Sequence, residues 1–82
     1  AILNTGAILE HDGRLGPAAH VAPGAVLAGD VRVGARCLVG AGAAVRPGVR
    51  IGADAVVGVG AAVVRDVPDG ARVAGVPARP LR

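Results

Sequence analysis

The chain has 82 residues with nine basic and six acidic side chains, a formal net charge of +3, and no Phe, Tyr, Trp or Met. A chain of this length forms one domain, and its core must be built from Val, Leu, Ile and Ala. The modest charge, without a basic run, argues against nucleic-acid binding, and short apolar stretches broken by Gly argue against a membrane span. No secretory signal pattern is present, so we expect a cytoplasmic location.

From the start of the chain, an aliphatic residue occurs at every sixth position. The series is Leu3, Leu9, Leu15, Val21, Leu27, Val33, Val39, Val45, Ile51, Val57 and Val63. A period of six fits neither an α-helix nor an alternating strand, and it is typical of the hexapeptide repeat of a parallel β-helix. Three hexapeptides form one triangular coil, so residues about 18 apart should stack at the strand spacing of about 4.8 Å. We therefore predict an all-β solenoid of about four coils over residues 1–67.

Two further columns keep the same register. Four positions after each aliphatic residue is a compact one that would also point inward, including Cys37 as a buried thiol and Val67 as the last member. Three positions after each aliphatic residue is a corner, which is Gly or Asp at most repeats from Gly6 to Asp66. Gly and Asp tolerate a left-handed backbone best. We therefore expect positive φ at the corner glycines, among them Gly24, Gly42, Gly48 and Gly60.

After Val63 the register fails. Residues 66–70 have the composition of a turn, and residues 72–79 are expected to form a short strand and a tail. We assign residues 68–82 to a C-terminal segment that covers the open end of the solenoid.

The last position of each hexapeptide faces outward, and its three rows differ. One row is arginine and should extend into solvent, whereas the other two are largely apolar. The rows are Arg14, Arg32, Arg50; Ile8, Val26, Ala44, Ala62; and His20, Leu38, Val56. Two exposed apolar rows on one molecule indicate an interface. Because threefold packing of the prisms would bury both, we predict a homotrimer.

The two histidines, His11 and His20, both occupy outward positions. They are nine residues apart, which is half a coil, so they should lie on different sides of the prism. One protomer cannot easily bring them together, whereas neighbouring protomers packed side by side could.

The segment from Asn4 to Asp12, NTGAILEHD, is followed by His20 nine residues after His11. Together with the tail from residue 67 to Arg79, it resembles the bacterial hexapeptide acyltransferases of the sialic acid O-acetyltransferase and UDP-4-amino-sugar N-acetyltransferase family. The resemblance implies a left-handed β-helix and acetyl-CoA as co-substrate, without a metal. It also implies acetyl transfer to a sugar or nucleotide sugar in bacterial surface-glycan synthesis. It leaves open whether nitrogen or oxygen is acetylated and which sugar accepts the group.

The resemblance also implies roles for individual residues. His11 would be the general base, and Asp12 would orient or polarise it. Asn4 would position the reacting groups, and His20 would line the site from an adjoining surface. The remaining two would bind acetyl-CoA: Gly29, stacked on His11, through its amide at the thioester oxygen, and Arg79 at a coenzyme phosphate.

Members of the family usually carry an N-terminal nucleotide-sugar domain, which this sequence lacks, so we expect the chain alone to be weakly active or inactive. The main alternative is a structural module that trimerises without activity. A γ-class carbonic anhydrase-like protein is the less favoured alternative, because it needs three zinc-binding histidines and the chain has two.

Overall fold

The computed structural model describes residues 2–81, which form thirteen short strands and no helix. The strands are β1 (Ile2–Leu3), β2 (Ile8–Leu9), β3 (Arg14–Leu15), β4 (His20–Val21), β5 (Val26–Leu27), β6 (Arg32–Val33), β7 (Leu38–Val39), β8 (Ala44–Val45), β9 (Arg50–Ile51), β10 (Val56–Val57), β11 (Ala62–Val63), β12 (Arg72–Ala74) and β13 (Arg79–Pro80). Each of the first eleven ends on a predicted inward aliphatic residue. With no helix among the described residues, none of them forms one that could cross a membrane.

The strands form three sheets, named A, B and C here. Sheet A has the order β1-β4-β7-β10-β12-β13, sheet B the order β11-β8-β5-β2, and sheet C the order β3-β6-β9. Every third strand therefore stacks in parallel on the strand one coil earlier, as in the pair of Leu9 with Leu27. Only β13 runs antiparallel, against β12. The predicted solenoid with three sides per coil is confirmed.

The core is a single cluster along the axis of the prism. It contains both predicted inward columns, and Leu27, Val39 and Cys37 are at most 1% exposed. The first coil is less covered, because only one of its two ends meets another coil. Leu3 is 45% exposed, and Leu9 and Leu15 are half-buried.

The predicted corners have a left-handed backbone. Gly24, Gly42, Gly48 and Gly60 have φ between 68° and 77°, so this prediction is confirmed. Ala18 and Arg36 also adopt positive φ, at 58° and 59°, although neither residue type favours it. The fold therefore imposes the corner conformation whatever residue the corner holds.

One corner column also carries an ion pair. The Arg36 guanidinium donates from Nε and Nη2 to the two carboxylate oxygens of Asp54, one coil later, at 2.8 and 2.9 Å. These hydrogen bonds lower the pKa of Asp54 and raise the pKa of Arg36. Both side chains are exposed.

The last coil is two residues shorter than the others. Val57 pairs with Val39, 18 residues earlier, but with Val73, only 16 residues later. Val67 pairs with Ile51 in the same shifted register, so it continues the aliphatic ladder rather than the compact column. The predictions of Asp66 as a corner and Val67 as a compact-column residue are therefore wrong, and Gly70, with φ 71°, is the corner of this coil.

Two carboxylates close the C-terminal end of the solenoid. Throughout the prism, the N–H groups of one coil donate to carbonyls of the next, as from Ile8 to Ala25 at 2.8 Å. At the final coil, where the shortened chain leaves N–H groups without such carbonyls, Asp66 accepts from the N–H of Arg50 and Asp69 from that of Ala53, both at 2.9 Å. The acidic residues of the predicted turn thus protect the sheet edge.

Candidate active site

His11 lies at the corner where the chain passes from sheet B to sheet C, between β2 and β3. Its Nδ1 is 3.4 Å from Oδ2 of Asp12, and both side chains are more than three-quarters exposed. This is a long contact, but it turns Nδ1 toward the carboxylate and leaves Nε2 as the outward nitrogen.

Gly29 occupies the same corner one coil later and lies against the His11 ring. A Cβ at Gly29 would be 2.8 Å from both Cε1 and Nε2 of His11, closer than such atoms can approach. The predicted stacking of Gly29 on His11 is therefore confirmed. The ring can take this position because residue 29 has no side chain.

The backbone N–H of Gly29 has no backbone hydrogen-bond partner within residues 2–81. Its carbonyl accepts from the N–H of Gly48 at 3.0 Å. The next residue of this column is Pro47, which has no N–H at all and can occupy the position because no ladder bond is needed there. The Gly29 N–H is thus available for an external acceptor beside the imidazole.

His20 and Asn4 form a second polar group, on sheet A. His20 lies in β4, Asn4 follows β1, and Asn4 Nδ2 is 2.7 Å from His20 Nε2. The structure therefore brings Asn4 to His20 rather than to His11. Sequence reasoning missed this pairing, because the two residues are 16 apart and do not share a column.

The two histidines are on opposite sides of the prism. His11 is at the corner shared by sheets B and C, and in a triangular section this corner faces away from sheet A, which carries His20. The molecule measures 21 by 20 Å in its two shorter dimensions. A single protomer does not bring the two imidazoles together.

Arg79 lies far from His11, in β13 at the C-terminal end. It lines a cavity of about 560 Å³ whose walls are mostly Val, Pro and Ala, with Arg65 as its second basic residue. Arg65 follows β11 as His11 follows β2, and these are the outer strands of sheet B. Three strand spacings, about 14 Å, separate the two positions along one edge. Sequence reasoning missed Arg65, although its distance of 54 residues from His11, three full coils, could have indicated it.

Within residues 2–81, no three His, Cys, Asp or Glu side chains come together in a group that could hold a metal ion.

Comparison with known proteins places these features in a family. Residues 30–65 match the model for the hexapeptide repeat of succinyl-transferase. A comparison with curated proteins gave no match. Among solved structures, the acetyltransferase domain of PglB from Neisseria gonorrhoeae, in complex with acetyl coenzyme A, is 43% identical with a TM-score of 0.95. The chain is a hexapeptide-repeat protein.

Two other solved structures extend the similarity. PerB from Caulobacter crescentus, in complex with CoA and GDP-perosamine, is 54% identical with a TM-score of 0.95. The serine acetyltransferase of Neisseria gonorrhoeae is 32% identical with a TM-score of 0.90. The PglB and PerB matches cover 96% of this chain, and the serine acetyltransferase match covers 95%. The predicted fold class, a left-handed parallel β-helix, is confirmed.

The chain spans only part of these proteins. It covers 38% of the PglB and PerB chains and 33% of the serine acetyltransferase chain. Perosamine N-acetyltransferase from Caulobacter crescentus is also known with one histidine replaced by asparagine, again in complex with CoA and GDP-perosamine.

Proposed function

We propose that this hexapeptide-repeat protein is a bacterial cytoplasmic acetyltransferase that moves an acetyl group from acetyl-CoA to an amine or hydroxyl of a nucleotide sugar. The observation that carries the proposal is the pairing of the His11 ring with the unpartnered N–H of Gly29 on the fold of acetyltransferases that bind acetyl-CoA, CoA and GDP-perosamine. A base and a backbone donor beside one another are the two groups that acyl transfer needs.

His11 is the general base in this mechanism. Asp12 accepts from Nδ1 and so keeps the lone pair on Nε2, which takes the proton of the acceptor amine or hydroxyl as that atom attacks the thioester carbonyl carbon. The carbonyl oxygen becomes an oxyanion and receives a hydrogen bond from the Gly29 N–H. The carbon–sulfur bond then breaks, and His11 returns the proton to the departing thiolate, so that acetylated sugar and CoA are the products.

Acetyl-CoA is proposed to lie along the edge between sheets B and C. Its thioester would be at His11 and Gly29, and its nucleotide would be in the C-terminal cavity, where Arg65 and Arg79 supply charge for phosphates. The separation of about 14 Å along this edge is a distance that an extended pantetheine arm can span.

The active enzyme is proposed to be a homotrimer. Sheets A and B carry the two apolar outward rows, with Ile8 46% and Leu38 43% exposed in a single protomer, whereas the outward row of sheet C is arginine. Cyclic packing would cover the apolar rows and bring sheet A of one protomer toward the His11 corner of the next. His20 would then line the site from the neighbouring protomer.

The experiment compares the chain with its His11→Ala variant. CoA binding, measured by calorimetry, should be retained, because the base contributes to the reaction rather than to coenzyme binding. Acetyl transfer to GDP-perosamine, supplied at high concentration, should fall by about 10²- to 10⁴-fold. An unchanged kcat/KM would contradict the base assignment, and a folded trimer that binds no CoA would favour the structural trimerisation module.

A further inference from the structure

The hydrogen bond between Asn4 and His20 determines which nitrogen of His20 carries the proton. The amide nitrogen of Asn4 has only hydrogens to offer, and it lies 2.7 Å from His20 Nε2. Nε2 must therefore accept, and in a neutral imidazole the remaining proton is on Nδ1. His20 is half-buried, so the pair is partly shielded from competing water.

The other histidine has the opposite arrangement. At His11, Nδ1 faces the carboxylate of Asp12, which can only accept, so Nδ1 is protonated and Nε2 holds the lone pair. Both imidazoles thus have the proton on Nδ1, but the nitrogen left available differs. His11 offers the lone pair of Nε2, whereas His20 offers the N–H of Nδ1.

His20 is also the polar member of an otherwise aliphatic stack. Its neighbours across the ladder are Ile2 and Leu38, both exposed in a single protomer. A polar group on a face that becomes buried is costly unless it is hydrogen-bonded. Asn4 satisfies Nε2, which leaves one donor to be satisfied by something outside the protomer.

We propose that Asn4 is a positioning residue that holds His20 in the Nδ1–H tautomer, so that His20 donates a hydrogen bond to an oxygen atom of the sugar acceptor. The inference rests on the proposed acetyltransferase function and divides the work between the histidines. His11 takes the proton of the attacking group. His20 orients the acceptor as a fixed neutral donor and does not compete for that proton.

The first test measures the tautomer directly. Long-range ¹H–¹⁵N correlation spectra of the chain, recorded above about pH 8 where an ordinary imidazole is neutral, distinguish the two tautomers. The parent should show His20 as Nδ1–H, and Asn4→Ala should shift it toward Nε2–H while the His11 signals stay in place. Finding His20 as Nε2–H in the parent, or unchanged in Asn4→Ala, would overturn the role of Asn4.

The second test uses two amide replacements as a matched pair. The side-chain nitrogen of Asn in His20→Asn reaches the position of Nδ1, whereas that of Gln in His20→Gln reaches the position of Nε2. With GDP-perosamine as acceptor, His20→Asn should keep kcat/KM within a few-fold of the parent. His20→Gln should lose about 10- to 100-fold, mostly through the KM of the acceptor, with CoA affinity unchanged.

Equal losses in the two variants, or a loss that appears in CoA affinity instead, would overturn the donor role. A parent that transfers no acetyl group would refute the proposed function and with it the role of His20 toward the acceptor. The tautomer measurement would still decide whether Asn4 positions His20.

Discussion

The contact between Gly29 and the His11 ring can be tested by adding a single methyl group. In Gly29→Ala, the new Cβ would start 2.8 Å from Cε1 and Nε2 of His11. Carbon atoms in ordinary contact are about 3.5 to 4.0 Å apart, so the ring must retreat by about 1 Å. The ring can do so at little cost, because it is the exposed end of a flexible side chain.

Gly29→Ala should therefore separate activity from stability. The φ angle of Gly29 is outside the left-handed region, so Ala brings no backbone strain, and the reduced freedom of the unfolded chain should stabilise the protein by about 0.5 kcal/mol. A displacement of about 1 Å at a reacting group costs on the order of 10²-fold in rate. We expect kcat/KM for acetyl transfer to fall by about that factor, while the free energy of unfolding is unchanged or slightly higher.

Gly42→Ala is the matched control, because it has the reverse effects. Gly42 has φ 68° and nothing within 4 Å of its added Cβ, so the substitution strains the backbone without touching the site. It should lower the free energy of unfolding by about 1 kcal/mol and leave kcat/KM unchanged. The assays are CoA thiol release with GDP-perosamine as acceptor and urea unfolding. Parental activity in Gly29→Ala, or a loss of several kcal/mol in its stability, would refute the reasoning.

Three further predictions concern assembly, pH and the corners. Leu38→Asp, which places a charge in an apolar row, should give a folded monomer in sedimentation equilibrium, whereas Arg32→Asp in the arginine row should remain trimeric; a trimeric Leu38→Asp would contradict the proposed interface. Because Arg36 lowers the pKa of Asp54 below its ordinary 3.8, the ion pair stabilises the fold above that pH and loses its effect as the pH falls through the lowered value. The difference in unfolding free energy between the parent and Asp54→Asn should thus be full at pH 7 and vanish in strong acid; a constant difference would contradict it. Gly24→Val should lower the free energy of unfolding by about 2 kcal/mol through strain at φ 74°, since its added Cβ meets only ordinary contacts, and parental stability in urea would count against this account.

The sequence by itself determined every contact that repeats with the coil. In a solenoid, each residue stacks on the residue one coil away, so a fixed offset along the chain becomes a fixed neighbour in space. The strand positions, the inward columns and the stacking of Gly29 on His11 could all be read in this way. The same offset also joins Arg36 to Asp54.

Only the tertiary structure decided the features that break the period. The coil shortened by two residues moves Val67 into the aliphatic ladder and makes Gly70 a corner, and no residue type in that stretch marks where the two residues are lost. The side chain of Asn4 reaches His20 across the strand direction, a choice of rotamer that no offset encodes. The first coil is partly exposed because burial depends on covering both ends of a prism, which is a property of the whole stack rather than of any one repeat.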